Sequence, residues 1–225
     1  MTCRSCDKSQ RAKAPTTGVP GAAAALGSRG GALHGVAHIN ENFKMNYDQS
    51  LFVLETERLV LRKLSTGDAP FIRELLNDPS FVRNVGDKGV RSDEDAAAYI
   101  EKGPVASYER FGFGLYAVEL KATGEPIGIC GVLKRDSLPD ADIGFALLPK
   151  FWSKGYALES AAAVITYATN LLGLKRILAI TKPDNIGSIR VLEKIGLCFE
   201  GMIKLAEDEP ELKLFALNPL QRLRT

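Results

Sequence analysis

The 225-residue chain is short of the residues that usually signal chemistry or compartment: two histidines, one tryptophan, three methionines and four cysteines. Both histidines, His34 and His38, precede residue 50, so neither an imidazole base nor a histidine metal site is expected in the body of the protein. Cys3, Cys6, Cys130 and Cys198 are too few and too scattered for a disulfide framework, and Cys3-x-x-Cys6 has no second pair or neighbouring histidine to complete a metal site. This usage suits a reducing interior, so a cytoplasmic protein is expected. No apolar run approaches the roughly 18–20 residues that cross a bilayer. The longest candidates, Ala22–Leu26 and Ala161–Ala168, are short and alanine-rich. Net charge is only +2. Of 29 Lys and Arg and 27 Asp and Glu, residues 1–50 carry six and three, so the remainder is close to neutral. Without a concentrated basic face, binding to nucleic acid is not expected. Gly-x-x-x-x-Gly-Lys-Ser/Thr is absent, as is a Gly-x-Gly-x-x-Gly after a strand.

What is present is ordinary globular composition, 45% apolar and 25% charged, in a length that fits one domain with an appendage. Residues 1–50 form the appendage. They are basic, rich in Gly and small polar residues, and without apolar periodicity, so they cannot bury enough surface to offset their ordering entropy and read as a disordered tail. Three readings stay open for it: an organelle transit peptide, a plain tail, or translation starting at Met45.

From Leu54 the pattern changes. Arg58–Leu64 reads as a strand, Gly67-Asp68-Ala69-Pro70 as a helix start leading into Phe71–Leu76, and Ser92-Asp93-Glu94-Asp95 as the cap of a helix over Ala96–Ile100. Gly114–Leu120, Ile127–Leu133 and Asp142–Leu148 read as strands joined by hairpin-length turns. A long amphipathic helix, about Gly155–Leu172, has Ala157, Ala161, Val164, Ile165, Ala168 and Leu172 on one face. A strand over Arg176–Thr181, a helix over Asn185–Ile195 and strands over Leu197–Ile203 and Leu212–Leu217 follow. Antiparallel hairpins first and a strand–helix–strand crossover later predict an α+β fold, a sheet covered by helices.

The most informative segment runs from Asp142 through Pro149 and Ser153-Lys154-Gly155-Tyr156-Ala157 into the long helix. The first amides of that helix lack partners inside it, Gly155 lets a ligand approach the backbone, Ala157 leaves room beside the first turn and Lys154 adds a positive charge. An anion such as a pyrophosphate fits there. Taken alone, Gly155 could equally just relieve a tight turn. About thirty residues later, Asn185 opens a helix with Ser188 and Leu192 on the same face and Gly196 closing it.

Together these two segments resemble the GNAT superfamily of N-acetyltransferases. The stretch Leu-Glu-Thr-Glu-Arg-Leu-Val-Leu-Arg at Leu54–Arg62 is similar to the opening of the branch that acetylates ribosomal-protein alanine N-termini. The resemblance covers Leu54 to Leu217. It implies a mostly antiparallel central sheet with a splayed parallel pair, here Asp142–Leu148 and Arg176–Thr181, the first of them bulged. It also implies acetyl-CoA as cosubstrate and no metal. Backbone groups of Phe145, Ala146 and Leu147 would hold the pantetheine arm, and Ser153, Lys154, Gly155, Tyr156 and Ala157 would cradle the pyrophosphate. Asn185 would lie near the pantetheine while capping its helix. Trp152 stands where the family usually has Gln or Arg, and Ser153 where it often has glycine.

Acetyl transfer to an amine needs a neutral nucleophile, a stabilised oxyanion and a proton for the leaving thiolate. Asp142 occupies the acidic position of many relatives and is the candidate base; its other reading is a solvated acid. Ser188 is the candidate partner of the thiolate, because Leu192 stands where many relatives carry tyrosine; it could instead cap its own helix. The expected activity is N-acetylation of a small amine or a peptide N-terminus. The alternative is a non-catalytic acyl-CoA-binding sensor or interaction module, and a homodimer is left open. The Tyr108, Phe111, Phe113 and Tyr116 group is expected in the core and acceptor-groove wall, and Glu207-Asp208-Glu209 in a solvated loop.

Overall fold

Residues 50–217 are described by a computed structural model; the basic tail and its three readings lie outside them. Their order is β1 (Phe52–Glu55), β2 (Leu59–Lys63), α1 (Ala69–Asn77), α2 (Pro79–Val85), α3 (Asp93–Ile100), α4 (Ala106–Phe111), β3 (Leu115–Leu120), β4 (Pro126–Leu133), β5 (Asp142–Leu147), α5 (Tyr156–Asn170), β6 (Ile177–Thr181), α6 (Ile186–Lys194), β7 (Cys198–Ile203) and β8 (Leu212–Leu217). All eight strands join one sheet in the order β1-β2-β3-β4-β5-β6-β8-β7. Every neighbouring pair is antiparallel except β5–β6, which is parallel and joined through α5. The predicted α+β fold with a mostly antiparallel sheet is therefore present. Among the described residues, no helix is long and apolar enough to cross a membrane.

The two faces of the sheet take different helices. Tyr116 meets Tyr167 of α5 edge-on, with ring centroids 6.4 Å apart, and the neighbouring Cys130 thiol shares a hydrogen bond with Ser160 of α5. Burial pushes that thiol up to about 12, so Cys130 is an inert core residue. One residue out of phase, Arg62 and Glu119 turn to the opposite face and meet Asp68 at the start of α1. The Tyr108–Phe111–Phe113–Tyr116 group is core, with Tyr108 stacked on Tyr116 and Phe111 on Phe113.

Three elements depart from the expected pattern. β1 is a four-residue edge strand too short to show alternation. Helix α2 starts at Asp78-Pro79, where the Asp78 carboxylate accepts the Ser80 N–H at 2.8 Å. The helix opened by the Ser92/Asp95 capping box does not stop at Ile100. It continues through a π-turn at Glu101–Val105 into α4, because widening the helix accommodates Pro104, which lacks an N–H and would crowd the preceding turn.

Arg62 holds the start of α1 to the sheet. Its guanidinium donates to Asp68 at 2.6 and 2.9 Å and to Glu119 at 2.8 Å, and both acids are buried. Burial alone would raise the Asp68 carboxyl, but bonds from Arg62 and Ser65 outweigh it and hold the group below the ordinary carboxylate value. A depressed carboxylate contributes stability above its unfolded-state pKa and loses it as pH falls through the folded value. Arg62→Leu should therefore cost about 3–5 kcal/mol at pH 7 by stranding two buried acids. The deficit should narrow as pH falls through the ordinary carboxylate range and below it, as Asp68 protonates. Denaturant titrations of both proteins across pH check this; an unchanged midpoint at pH 7 contradicts it.

Candidate active site

β5 is an interior strand, paired with β4 without a register break from Leu133↔Asp142 to Gly128↔Leu147. On its other side it meets β6 at one pair, Asp142↔Leu178, where the Leu178 N–H donates to the Ala141 carbonyl at 2.8 Å. Beyond that pair the strands part. β6 keeps all five of its residues paired with β8, so it follows β8 away from β5. Gly144, Phe145 and Ala146 are consequently half-buried in mid-sheet. The expected bulge in this strand is not found; the wedge comes from the departure of β6.

The direction of each backbone group on β5 follows from the ladder. Leu148 N–H donates to Ile127 carbonyl at 3.0 Å, so by antiparallel alternation Ala146 also bonds toward β4, while Phe145 and Leu147 turn their N–H and C=O groups into the wedge. A Cβ on Gly128 of β4 would collide with the Ala146 carbonyl oxygen, consistent with that direction. Phe145 thus has its N–H and C=O, and Leu147 its N–H, directed into the wedge without a strand partner. The backbone of Ala146 is spent on β4, which removes the reason for expecting it to bond a ligand.

At the open end of the wedge a short turn over Pro149–Phe151 buries Phe151 and leaves Trp152, Ser153, Lys154 and Gly155 exposed. Ser153 (φ 59°) and Gly155 (φ 85°) are both left-handed, and Ser153 is the one non-glycine described residue with positive φ. Helix α5 then begins at Tyr156 with no side-chain cap. By contrast α2, α3 and α6 are capped by Asp78, Ser92 and Asn185. The first amides of α5, on Tyr156, Ala157 and Leu158, have no helical acceptor and stand at the positive end of a 15-residue helix.

This turn is held from across the sheet by Glu159, in the first turn of α5. Its Oε1 accepts from Thr56 Oγ1 at 2.6 Å and Arg58 N at 2.9 Å, and its Oε2 from Arg58 Nε at 2.7 Å. Arg58 also donates to the Lys154 carbonyl at 3.0 Å and covers the Tyr156 ring, 4.5 Å from its centroid. Burial would raise the Glu159 carboxyl, but these donors hold it below its ordinary value. Thr56 and Arg58 belong to the opening motif, yet sequence reasoning gave them no role, since nothing local links them to a residue a hundred positions later.

Asp142 stands at the closed end of the wedge, 1% exposed, with Arg135 Nε donating to its two oxygens at 3.0 and 3.1 Å. Burial pushes its carboxyl up against the pull of Arg135. Asn185 spends its Oδ1 on the Ser188 N–H at 3.1 Å, and both residues are half-buried. Leu192 is buried in the core. The structure thus brings Phe145, Leu147 and Ser153 to Ala157 to one opening, and sets Asp142 apart at the other end of β5. A cleft of about 790 Å³ lined by Arg73, Glu74, Asn77, Arg91 and Lys150 contains none of the expected site residues.

A family profile described as acetyltransferase (GNAT) domain matches residues 58–197. A Bacillus subtilis protein named uncharacterized N-acetyltransferase YoaA is 32% identical over 153 residues, covering 68% of this chain and 86% of its own. The crystal structure of an acetyltransferase from Agrobacterium tumefaciens superposes with a TM-score of 0.64 at 28% identity, over 73% of this chain and 93% of its own. The ribosomal L7/L12 α-N-protein acetyltransferase RimL, in complex with coenzyme A, shares the fold with a TM-score of 0.64 at 20% identity, over 73% of this chain and 96% of its own.

If Glu159 fixes the turn that receives the anion, Glu159→Ala should raise the KM for acetyl-CoA about tenfold while kcat stays within about twofold, the pattern of lost uniform binding. Steady-state kinetics with the acceptor saturating would show it. A fall in kcat with KM unchanged would contradict this role.

Proposed function

Given that this chain belongs to the GNAT acetyltransferase family, as the match over residues 58–197 shows, we propose that it transfers an acetyl group from acetyl-CoA to a primary amine by direct attack on the thioester. The acceptor is a small molecule or a protein N-terminal α-amine. The observation that carries this reading is the wedge between β5 and β6 opening onto the uncapped start of α5. The residues fit the cosubstrate: wedge-facing groups of Phe145 and Leu147 suit the amides of pantetheine, and the α5 amides with Ser153, Lys154 and Gly155 suit its pyrophosphate. When bound, acetyl-CoA supplies the activated acyl group.

The remaining work falls to side chains and amides of this chain. The Phe145 N–H, turned into the wedge, is the donor for charge developing on the thioester oxygen. Ser188 gives its N–H to Asn185, and its half-buried hydroxyl is the group assigned to bond the departing sulfur. Two roles compete for Asp142. It is either the base that takes the amine proton, or the anchor that fixes Arg135 beside the acceptor. The contact of both its oxygens with Arg135 favours the anchor.

A panel of small amines and N-terminal peptides, followed by thiol release from acetyl-CoA, tests the reading. Release with at least one acceptor is expected; CoA binding without release from any acceptor favours the sensor alternative. In the same assay Asp142→Asn separates its two roles. An α-amine with pKa about 7.7–8.0 needs little help to become neutral, whereas a lysine-like amine at about 10.4 needs much. An anchor slows both acceptors by a similar factor; a base slows the high-pKa acceptor far more.

A further inference from the structure

We propose that Trp152 is a binding residue for the pantetheine arm, closing the mouth of the wedge with its indole ring. The proposal rests on the reading of this wedge as the acyl-CoA site. Phe151 and Trp152 come from the same turn, one buried and the other exposed. Phe151 is 7% exposed in the core, with the ammonium groups of Lys150 and Lys154 5.1 and 5.4 Å from its ring centroid. Trp152 is 44% exposed, an unusual place for the most apolar surface a side chain can offer.

The ring is not a loose surface group. Its Nε1–H donates to the Leu147 carbonyl at 2.7 Å, and the ladder turns that carbonyl toward the wedge. One edge of the indole is thereby pinned inside the mouth. Its backbone is fixed as well, the Trp152 N–H donating to the Pro149 carbonyl at 3.0 Å. Two consequences follow for a ligand lying along β5. The Leu147 carbonyl already has a donor, so the polar groups left for the arm are the Phe145 N–H and C=O and the Leu147 N–H. The arm, on its way from the wedge to the first turn of α5, must also pass the indole ring. A ring held at a fixed angle loses little entropy when covered and shields the neighbouring hydrogen bonds from water. A charged side chain at position 152 would instead address the phosphates, so the aromatic residue moves part of the recognition from the anion to the arm.

Trp152 is the sole tryptophan of the chain, so indole fluorescence of the unaltered protein reports on this site alone. Acrylamide quenching should fall at least about twofold when the protein is saturated with CoA, since the ligand buries an aromatic face. Adenosine 3′,5′-bisphosphate, which has the nucleotide but no arm, should leave quenching unchanged. By calorimetry, Trp152→Ala should weaken CoA about tenfold, equivalent to about 1.4 kcal/mol, while affinity for the bisphosphate stays within twofold; Trp152→Phe should fall between. A residue that only braced the turn would weaken both ligands together. Heat of CoA binding with unaltered quenching, or equal loss of both ligands in Trp152→Ala, overturns the role of Trp152 and leaves the acyl-CoA site standing. No heat with CoA in the unaltered protein removes the site and this role with it.

Discussion

Everything proposed for this protein depends on β5 and β6 sharing one pair, Asp142↔Leu178, and then separating. A parallel pair continued along both strands would saturate the β5 backbone on both sides and leave a sealed sheet. Because β6 is committed to β8 over its full length, it leaves β5 with the inward N–H and C=O of Phe145 and the inward N–H of Leu147 unspent, the Leu147 carbonyl being taken by the Trp152 indole. Buried backbone groups without partners are costly, so such a gap calls for water or a ligand with matching donors and acceptors. The amides of an extended pantetheine arm are of that kind.

The same logic governs the helix at the wedge mouth. Sequence supplies caps for α2, α3 and α6 but a left-handed glycine for α5, the longest helix described. The helix is nevertheless fixed, because Glu159 ties its first turn to Thr56 and Arg58 at the far edge of the sheet. Stability and ligand affinity are thus separated. The carboxylate bonded by the β1–β2 turn locates the helix, and its first amides are left without a side-chain cap. Arg62, in the next strand of the same motif, does the corresponding work for α1 through Asp68.

Much of this was legible in the sequence. Apolar alternation located β2, hairpin-length turns β3 to β5, and short apolar runs β6 to β8, and Ser92 with Asp95 announced a capping box that the structure contains. The Ser153–Ala157 junction was legible because Pro, Gly and a following apolar period mark a strand–turn–helix transition. What was not legible depends on register or distance. The direction of the Ala146 backbone depends on which β4 residue it faces, and no one-dimensional pattern contains that. The expected bulge in β5 proved unnecessary because the gap is made by β6, a neighbour only in three dimensions. The continuation of α3 through Pro104 ran against the usual breaker rule, since a π-turn absorbs the missing N–H. The clamp on Glu159 joins residues about a hundred positions apart, beyond any local signal.

Amide hydrogen exchange with and without coenzyme A tests the central claim most directly. If the wedge and the start of α5 receive the cofactor, slowed exchange should concentrate at Phe145, Leu147 and the amides from Ser153 to Leu158, with Ala146 unchanged because its N–H already bonds to β4. Binding that protects other segments and leaves these amides exchanging as before would contradict the account.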